Sequence, residues 1–276
     1  MLLNFTKMHG LGNDFIVIDA TAEAFDLSND TIQQLSDRHL GIGFDQMLVV
    51  ESTDIPDCDF RYRIFNSDGG EVEQCGNGAR CFARFVTDMG LSNKQEIPVL
   101  TSGGRIVLKL QDDGQVTVDM GAPELIPNKI PFSAEQQQAT YRHTLAGHSL
   151  TFGAVSMGNP HAVITVDDVD TAAVELIGAA FQEDPIFPKQ VNVGFMQIVD
   201  RQTIRLRVFE RGVGETMACG TGACAAIVAG HLQGLLDDTV TVILPAGNLI
   251  INWAGDTSVV KMTGPATTVY HGTITV

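Results

Sequence analysis

"YRIFNSDGGEVEQCGNGA", residues Tyr62 to Ala79, and "LRVFERGVGETMACGTGA", residues Leu206 to Ala223, align without a gap at a constant offset of 144 residues. Arg63, Phe65, Gly70, Glu71, Cys75, Gly76, Gly78 and Ala79 recur as Arg207, Phe209, Gly214, Glu215, Cys219, Gly220, Gly222 and Ala223. A weaker echo lies upstream, where "GNDFIVID" from Gly12 matches "GNPHAVITVD" from Gly158 at an offset of 146. Half of a 276-residue chain falls within the ordinary domain range of ~50 to 250 residues, so the repeat reads as two copies of one module rather than a solenoid.

Within each copy the pattern predicts a strand, a glycine-rich turn and a helix. "YRIFN" and "LRVFE" are rich in aromatic and β-branched residues and run into Gly-rich turns, which marks strands. After the Cys-Gly-x-Gly turn, "ARCFARFVTDMG" and "ACAAIVAGHLQG" read as helices stopped by Gly90 and Gly234. The second of these is apolar on nearly every side, which suits a helix enclosed by a sheet. "GRIVLKL", "QVTVDM", "TVTVIL", "NLIINW" and "TTVYHGTITV" add short strands. The expectation is an α+β chain, mostly antiparallel, with one principal helix per domain.

Composition narrows the function. A formal net charge of -16 argues against wrapping a phosphate backbone, which needs clustered Lys and Arg. No apolar run approaches the ~20 residues of a bilayer span, and "MLLNFTKMHG" lacks the apolar core of a signal peptide. These features predict a cytoplasmic protein with no nucleic-acid or membrane partner. Five cysteines, Cys58, Cys75, Cys81, Cys219 and Cys224, are odd in number and widely spread, unlike a disulfide framework.

The repeat puts Cys75 and Cys219 at one structural point, the start of a buried helix. Unsatisfied N–H groups and the positive end of the helix dipole favour an anion there, so both thiols are expected to ionise more easily than an ordinary cysteine. Gly76, Gly78, Gly220 and Gly222 would let a carboxylate or an enolate approach the same N–H groups. Two such sites across an interdomain cleft would set a thiolate on one face of a substrate carbon and a thiol on the other. That arrangement removes a proton and returns one from the opposite side, with no metal and no organic cofactor.

These residues carry a resemblance to the diaminopimelate epimerases, which convert L,L-diaminopimelate to the meso form on the bacterial route to lysine and peptidoglycan. The resemblance runs nearly end to end. It lies in "KMHGLGNDF" from Lys7, "DRHLGIGFDQ" from Asp37, "FNSDGGEVEQCGNGARC" from Phe65, "SMGNPHAV" from Ser156, "VNVGFMQ" from Val191 and "RVFERGVGETMACGTGACA" from Arg207. It implies that Cys75 and Cys219 are the catalytic bases and that Gly76, Asn77, Gly220 and Thr221 surround the reacting carboxylate. It implies substrate contacts from Asn13, Gln46, Asn66, Asn159, Asn192, Glu210 and Arg211, with His161 and Glu210 influencing thiol ionisation. The implied fold is two pseudo-symmetric domains, 1–119 plus 265–276 and 120–264, each a mostly antiparallel sheet curled around a central helix. The family is usually a homodimer, with a tyrosine at the interface that matches Tyr270.

One departure is Thr221, where many relatives carry serine; it keeps the hydroxyl. The proline and hydroxyproline racemases share the two-cysteine logic, but Asn77 and the "HGLGNDF" opening favour a substrate charged at both ends. A reading of another class makes Cys75 and Cys219 a redox dithiol, or joins them to His161 around a metal. Across the repeat Asn66 and Ser67 stand against Glu210 and Arg211, so the reaction machinery is kept while recognition differs. An Arg fork suits a carboxylate and Asn or Glu oxygens suit an ammonium. Cys81 and Cys224 are expected to be helix packing, Trp253 core, and His9 structural.

Overall fold

Period-two burial builds the sheet of the first unit, as in Phe60–Asn66, where alternate side chains point inward. In the computed structural model, residues 2–72 and 75–276 are described; Met1, Glu73 and Gln74 lie outside the described residues. The chain divides into two compact units, Met1–Asp119 with Thr263–Val276 and Met120–Met262. The return to the first unit thus falls at Thr263 instead of the expected Pro265.

The first unit contains β1 (Leu2–Gly10), β2 (Asn13–Ala20), β3 (Gln46–Glu51), β4 (Phe60–Asn66), β5 (Glu71–Val72), β6 (Glu96–Thr101), β7 (Gly104–Leu110) and β8 (Val116–Asp119). The carboxyl-terminal strand Thr267–Thr275 pairs with β1 and carries Tyr270 opposite Lys7. From that strand the order runs β1, β2, β3, β4, β6, β7, β8, with β5 hairpinned to β4. Among the described residues β2/β3 and β4/β6 pair parallel and the others antiparallel. Two helices join it, α1 (Asn29–Ser36) and α2 (Gly76–Asp88). α2 packs on the terminal strand and β1 to β3 at one end of this order and on β7 and β8 at the other. A helix that touches both ends of a sheet is enclosed by it, and the sheet curls accordingly.

The second unit repeats the topology with β9 (Tyr141–Leu145), β10 (His148–Ser156), β11 (Pro160–Thr165), β12 (Asn192–Asp200), β13 (Thr203–Glu210), β14 (Gly214–Thr216), β15 (Thr239–Leu244) and β16 (Gly247–Asn252). The strands follow one another in that order, with β14 hairpinned to β13 and with β11/β12 and β13/β15 parallel. α3 (Val174–Glu183) closes an aromatic cluster of Phe132, Tyr141, Phe152, Phe181 and Phe187. α4 (Gly220–Leu232) packs on β10 to β13 and β16. It matches α2 residue for residue, both 13 residues long.

Both central helices end alike. Gly90 and Gly234 adopt φ of 69° and 72°, the left-handed conformation that costs glycine least. Leu91 N–H then donates to Val86 O, and Leu235 N–H to Gly230 O, closing the same terminal motif. The matching ion pairs Arg63–Glu71 and Arg207–Glu215 are two-pronged and tie β4 to β5 and β13 to β14. Cys81 and Cys224 are fully buried in the helices and Trp253 is buried, as packing residues should be. Among the described residues no helix is long and apolar enough to cross a membrane.

Helix α3 lies so close to β13 that a methyl group on Gly178 would stand 2.3 Å from Phe209 Cγ and 2.6 Å from its Cβ. Alanine is favoured over glycine in a helix by about 1 kcal/mol, but overpacking costs about 1–3 kcal/mol. Gly178→Ala is therefore expected to lower the free energy of unfolding, read as an earlier urea midpoint with an unchanged slope. A later midpoint would show that Phe209 gives way at no cost.

Candidate active site

Each central helix starts on a cysteine. Cys75 has extended backbone (φ -143°, ψ 111°) and its sulfur accepts the Gly78 N–H at 3.4 Å, so the thiol is the N-cap of α2. Cys219 repeats this on α4, with φ -118°, ψ 110° and the Gly222 N–H at 3.4 Å. Space is short at both glycines, most of all at Gly78. A Cβ at Gly78 would lie 2.5 Å from the Tyr62 hydroxyl, and one at Gly222 would lie 3.1 Å from Val208 Cγ2 and 3.2 Å from the Cys219 sulfur.

Around Cys75 the first unit assembles amides. The sulfur lies 3.8 Å from Asn13 Oδ1, which also accepts Asn77 Nδ2–H at 3.2 Å. Gln46 and Asn66 are opposite one another on β3 and β4, and Gln46 Nε2–H donates to Asn66 Oδ1 at 2.9 Å. Those bonds turn Gln46 Oε1 and Asn77 Oδ1 away, and both are buried without a partner. Buried polar atoms ordinarily find one, so each of these acceptors suits a hydrogen-bond donor. The Tyr62 hydroxyl, buried and also without a partner, lies beneath Gly78. The one sign of Tyr62 in the sequence is its replacement by Leu206 in the second copy.

Around Cys219 the second unit is more highly charged. Thr221 Oγ1 is 3.5 Å from the sulfur, and Glu210 accepts Thr216 Oγ1–H at 2.5 Å. Burial first, then the Glu210 carboxylate, push the Cys219 thiol well above its ordinary range, against the Thr221 and Gly222 hydrogen bonds. This corrects the expectation that a helix start makes this thiol easier to ionise. A dipole worth about 0.3–1 kcal/mol does not offset burial beside a carboxylate.

His161 and Asn192 are register partners on β11 and β12. His161 Nε2–H donates to Asn159 Oδ1 at 3.0 Å, which leaves Nδ1 as a buried acceptor without a partner. Asn192 Oδ1 accepts the Arg211 backbone N–H at 2.9 Å, which leaves Nδ2 as a buried donor. The Arg211 side chain is exposed and reaches Lys189 O at 3.3 Å. Burial, with Arg211 nearby, lowers the His161 pKa from 6.5 to about 3, so its imidazole is neutral at pH 7. Any influence of His161 on a thiol is therefore that of a neutral dipole. His9 accepts the Gly12 N–H through Nδ1, a turn contact. Among the described residues no group of three His, Cys, Asp or Glu side chains is arranged to hold a metal ion.

The family model described as "Diaminopimelate epimerase" matches residues 5–126 and 153–269. The diaminopimelate epimerase of Thioalkalivibrio sulfidiphilus (strain HL-EbGR7) is 59% identical over 276 residues, covering 99% of each chain. That of Ectopseudomonas mendocina (strain ymp) is 57% identical over 274 residues, again covering 99% of each. Among solved structures, a Bacillus anthracis phenazine biosynthesis protein of the PhzF family superposes with a TM-score of 0.72 at 16% identity over 100% of both chains. A hydroxyproline epimerase from Agrobacterium vitis with bound trans-4-hydroxy-L-proline reaches 0.69 at 15% identity, covering 99% of this chain and 92% of its own. At such identities these two establish the fold alone.

The buried imidazole makes stability depend on pH. Folding depresses the His161 pKa, so its contribution is complete above the unfolded value near 6.5 and is lost as pH falls toward 3. Asp14, lowered to about 2 by Arg38 and Lys7 against its burial, loses its contribution only below its ordinary 3.8. Between pH 7 and pH 5 the His161 share amounts to about 2 kcal/mol. His161→Gln is expected to flatten the fall in unfolding free energy over this interval by about that amount. An equal fall in both proteins, by urea denaturation, would mean that His161 is not buried neutral.

Proposed function

The chain belongs to the diaminopimelate epimerase family, and on that premise we propose that its two capping thiols invert the α-carbon of L,L-diaminopimelate to give the meso form. The observation that carries the reading is the recurrence of one device, a cysteine sulfur capping a buried helix, in two units of the same topology. One sulfur, as thiolate, takes the α-proton; the C–H bond breaks, an S–H bond forms, and the electron pair passes into the substrate carboxylate as an enolate. The second sulfur, as thiol, gives its proton to the opposite face of the carbon. The pair has then exchanged states, and the reverse reaction uses them in the opposite sense.

The groups around the sulfurs suit these steps. The N–H groups of Gly76, Asn77 and Gly78, and of Gly220, Thr221 and Gly222, open helices whose positive ends favour the carboxylate on which charge develops. Gln46 Oε1 and Asn77 Oδ1 suit the α-ammonium. Burial and Glu210 keep Cys219 protonated, the state required of the proton donor. Asn66, Asn159, Asn192, Glu210 and Arg211 are assigned to the end of the substrate that does not react, with the Arg211 guanidinium on the distal carboxylate. A site with buried polar groups of this kind rejects a substrate lacking its second charged end more sharply than an apolar pocket does. The activity is assigned to the cytoplasm and to a homodimer formed through the terminal strand, where Tyr270 and Val269 are 46% and 54% exposed.

In deuterium oxide the protein is expected to place solvent deuterium at the α-carbon of diaminopimelate, followed by mass spectrometry, with no metal or cofactor added. Cys75→Ala and Cys219→Ala should each lower kcat roughly 10²- to 10⁴-fold, the weight of a lost general acid or base. Near-normal turnover in either variant would defeat the two-base scheme. Arg211→Ala should raise KM roughly 10- to 100-fold, as expected for a lost charge-assisted hydrogen bond, with a much smaller effect on kcat. An unchanged KM would remove Arg211 from substrate recognition.

A further inference from the structure

The segment "DRHLGIGFDQ" contributes only Gln46 to the reading above, yet its Asp45 meets Asn13 and its Arg38 holds Asp45. The parallel register of β2 and β3 brings the Asp14 and Asp45 backbones together, with Asp45 N–H donating to Asp14 O at 3.0 Å. Asp45 Oδ2 accepts Asn13 Nδ2–H at 2.9 Å and Asp14 N–H at 3.1 Å. Asp45 Oδ1 accepts from Arg38 at 2.8 Å, and the same guanidinium forks onto Asp14 at 2.7 and 3.0 Å. Lys7, buried beside them, completes the cluster through Asp14 Oδ2 at 2.5 Å and the Gly43 carbonyl.

An ionised carboxylate only accepts, so whichever end of the Asn13 amide meets Asp45 must be its NH₂. The oxygen is then left on the other side, where Cys75 Sγ stands at 3.8 Å and Asn77 Nδ2 at 3.2 Å. Asn77 reinforces the choice, because its NH₂ also needs an acceptor there. A reversed Asn13 would set NH₂ against NH₂ on one side and oxygen against carboxylate on the other.

We propose that Asp45, held by Arg38, is a positioning residue that fixes the Asn13 side-chain amide with its oxygen toward Cys75. Asn13 then accepts the S–H of Cys75 whenever that sulfur carries a proton, including the proton taken from a substrate carbon. Asp45 touches neither the sulfur nor the reacting carbon; it acts through Asn13. The inference rests on the assignment of Cys75 as an acid–base group only for its effect on turnover, and not for its effect on the thiol.

The test reads the thiol directly. Alkylation of Cys75 by iodoacetamide at fixed neutral pH, followed by peptide mass with the partly exposed Cys58 as internal reference, should be about fivefold faster in Asp45→Ala, the factor for one lost hydrogen bond to the S–H. Asn13→Ala should show the same acceleration, and the double variant no more than either single one, since the two substitutions remove one contact. Asp45→Asn deletes the charge but keeps an oxygen for Asn13 Nδ2–H, so it should return the rate to within about twofold of the original. In the epimerisation assay Asp45→Ala should lower kcat roughly tenfold through misplacement of Asn13, with Asp45→Asn recovering most of it. An unchanged alkylation rate in a folded Asp45→Ala protein, or Asp45→Asn behaving like Asp45→Ala, would overturn the proposal. The alkylation arm uses no substrate, so it decides the positioning role even where the epimerisation assay is silent.

Discussion

The contact on which each unit depends is a sulfur accepting the N–H of the third residue beyond it, at 3.4 Å in both helices. Serine, threonine or aspartate would make a shorter and stronger cap, worth about 1 kcal/mol. A thiol at this position forgoes part of that stabilisation and places an ionisable atom at the positive end of a helix dipole. The remaining architecture keeps that atom still. The helix is enclosed on all sides, its far end is closed by a left-handed glycine, and the strand leading into the cap is braced by a two-pronged Arg–Glu pair. The proton transfer proposed above would need the sulfur held to a fraction of an ångström, and a buried helix capped at both ends suits that need.

Two opposing influences act on such a sulfur. The helix start and its N–H groups stabilise the thiolate; burial and a carboxylate stabilise the thiol. At Cys219 the second pair prevails, because desolvation of a buried anion outweighs a dipole of at most ~2 kcal/mol. The buried acceptors Gln46 Oε1 and Asn77 Oδ1 await a donor.

The parts legible in the sequence are those set by local geometry. A cap, two glycines, a stop glycine and an Arg–Glu pair must recur at fixed spacing wherever the device recurs, so a constant offset of 144 residues displays them. The α+β class and the enclosed α4 follow from strand alternation and from a helix without a polar face. Contacts made by register were not legible. Asn13 meets Asp45 because β2 and β3 run parallel, and His161 meets Asn192 because β11 and β12 do. Burial was the other hidden quantity. It makes His161 neutral and Cys219 hard to ionise, and neither follows from the residue's name or its neighbours in the chain.

Where the two copies differ, the difference has a physical reading. Tyr62 and Leu206 occupy equivalent strand positions, and both are buried, but only one adds a hydroxyl beneath the helix start. Asn66 and Glu210 occupy the equivalent ends of β4 and β13, and Ser67 and Arg211 follow them. The second unit thus carries a carboxylate acting on its thiol and a guanidinium acting on His161, where the first carries neutral side chains. In the two-base scheme proposed above a symmetric pair of sulfurs suffices for inversion, since each would serve as acid in one direction and base in the other. A substrate with one reacting end and one fixed end cannot be oriented by a symmetric surface. The differences at Asn66/Glu210 and Ser67/Arg211 break that symmetry and leave the two cysteine caps themselves intact.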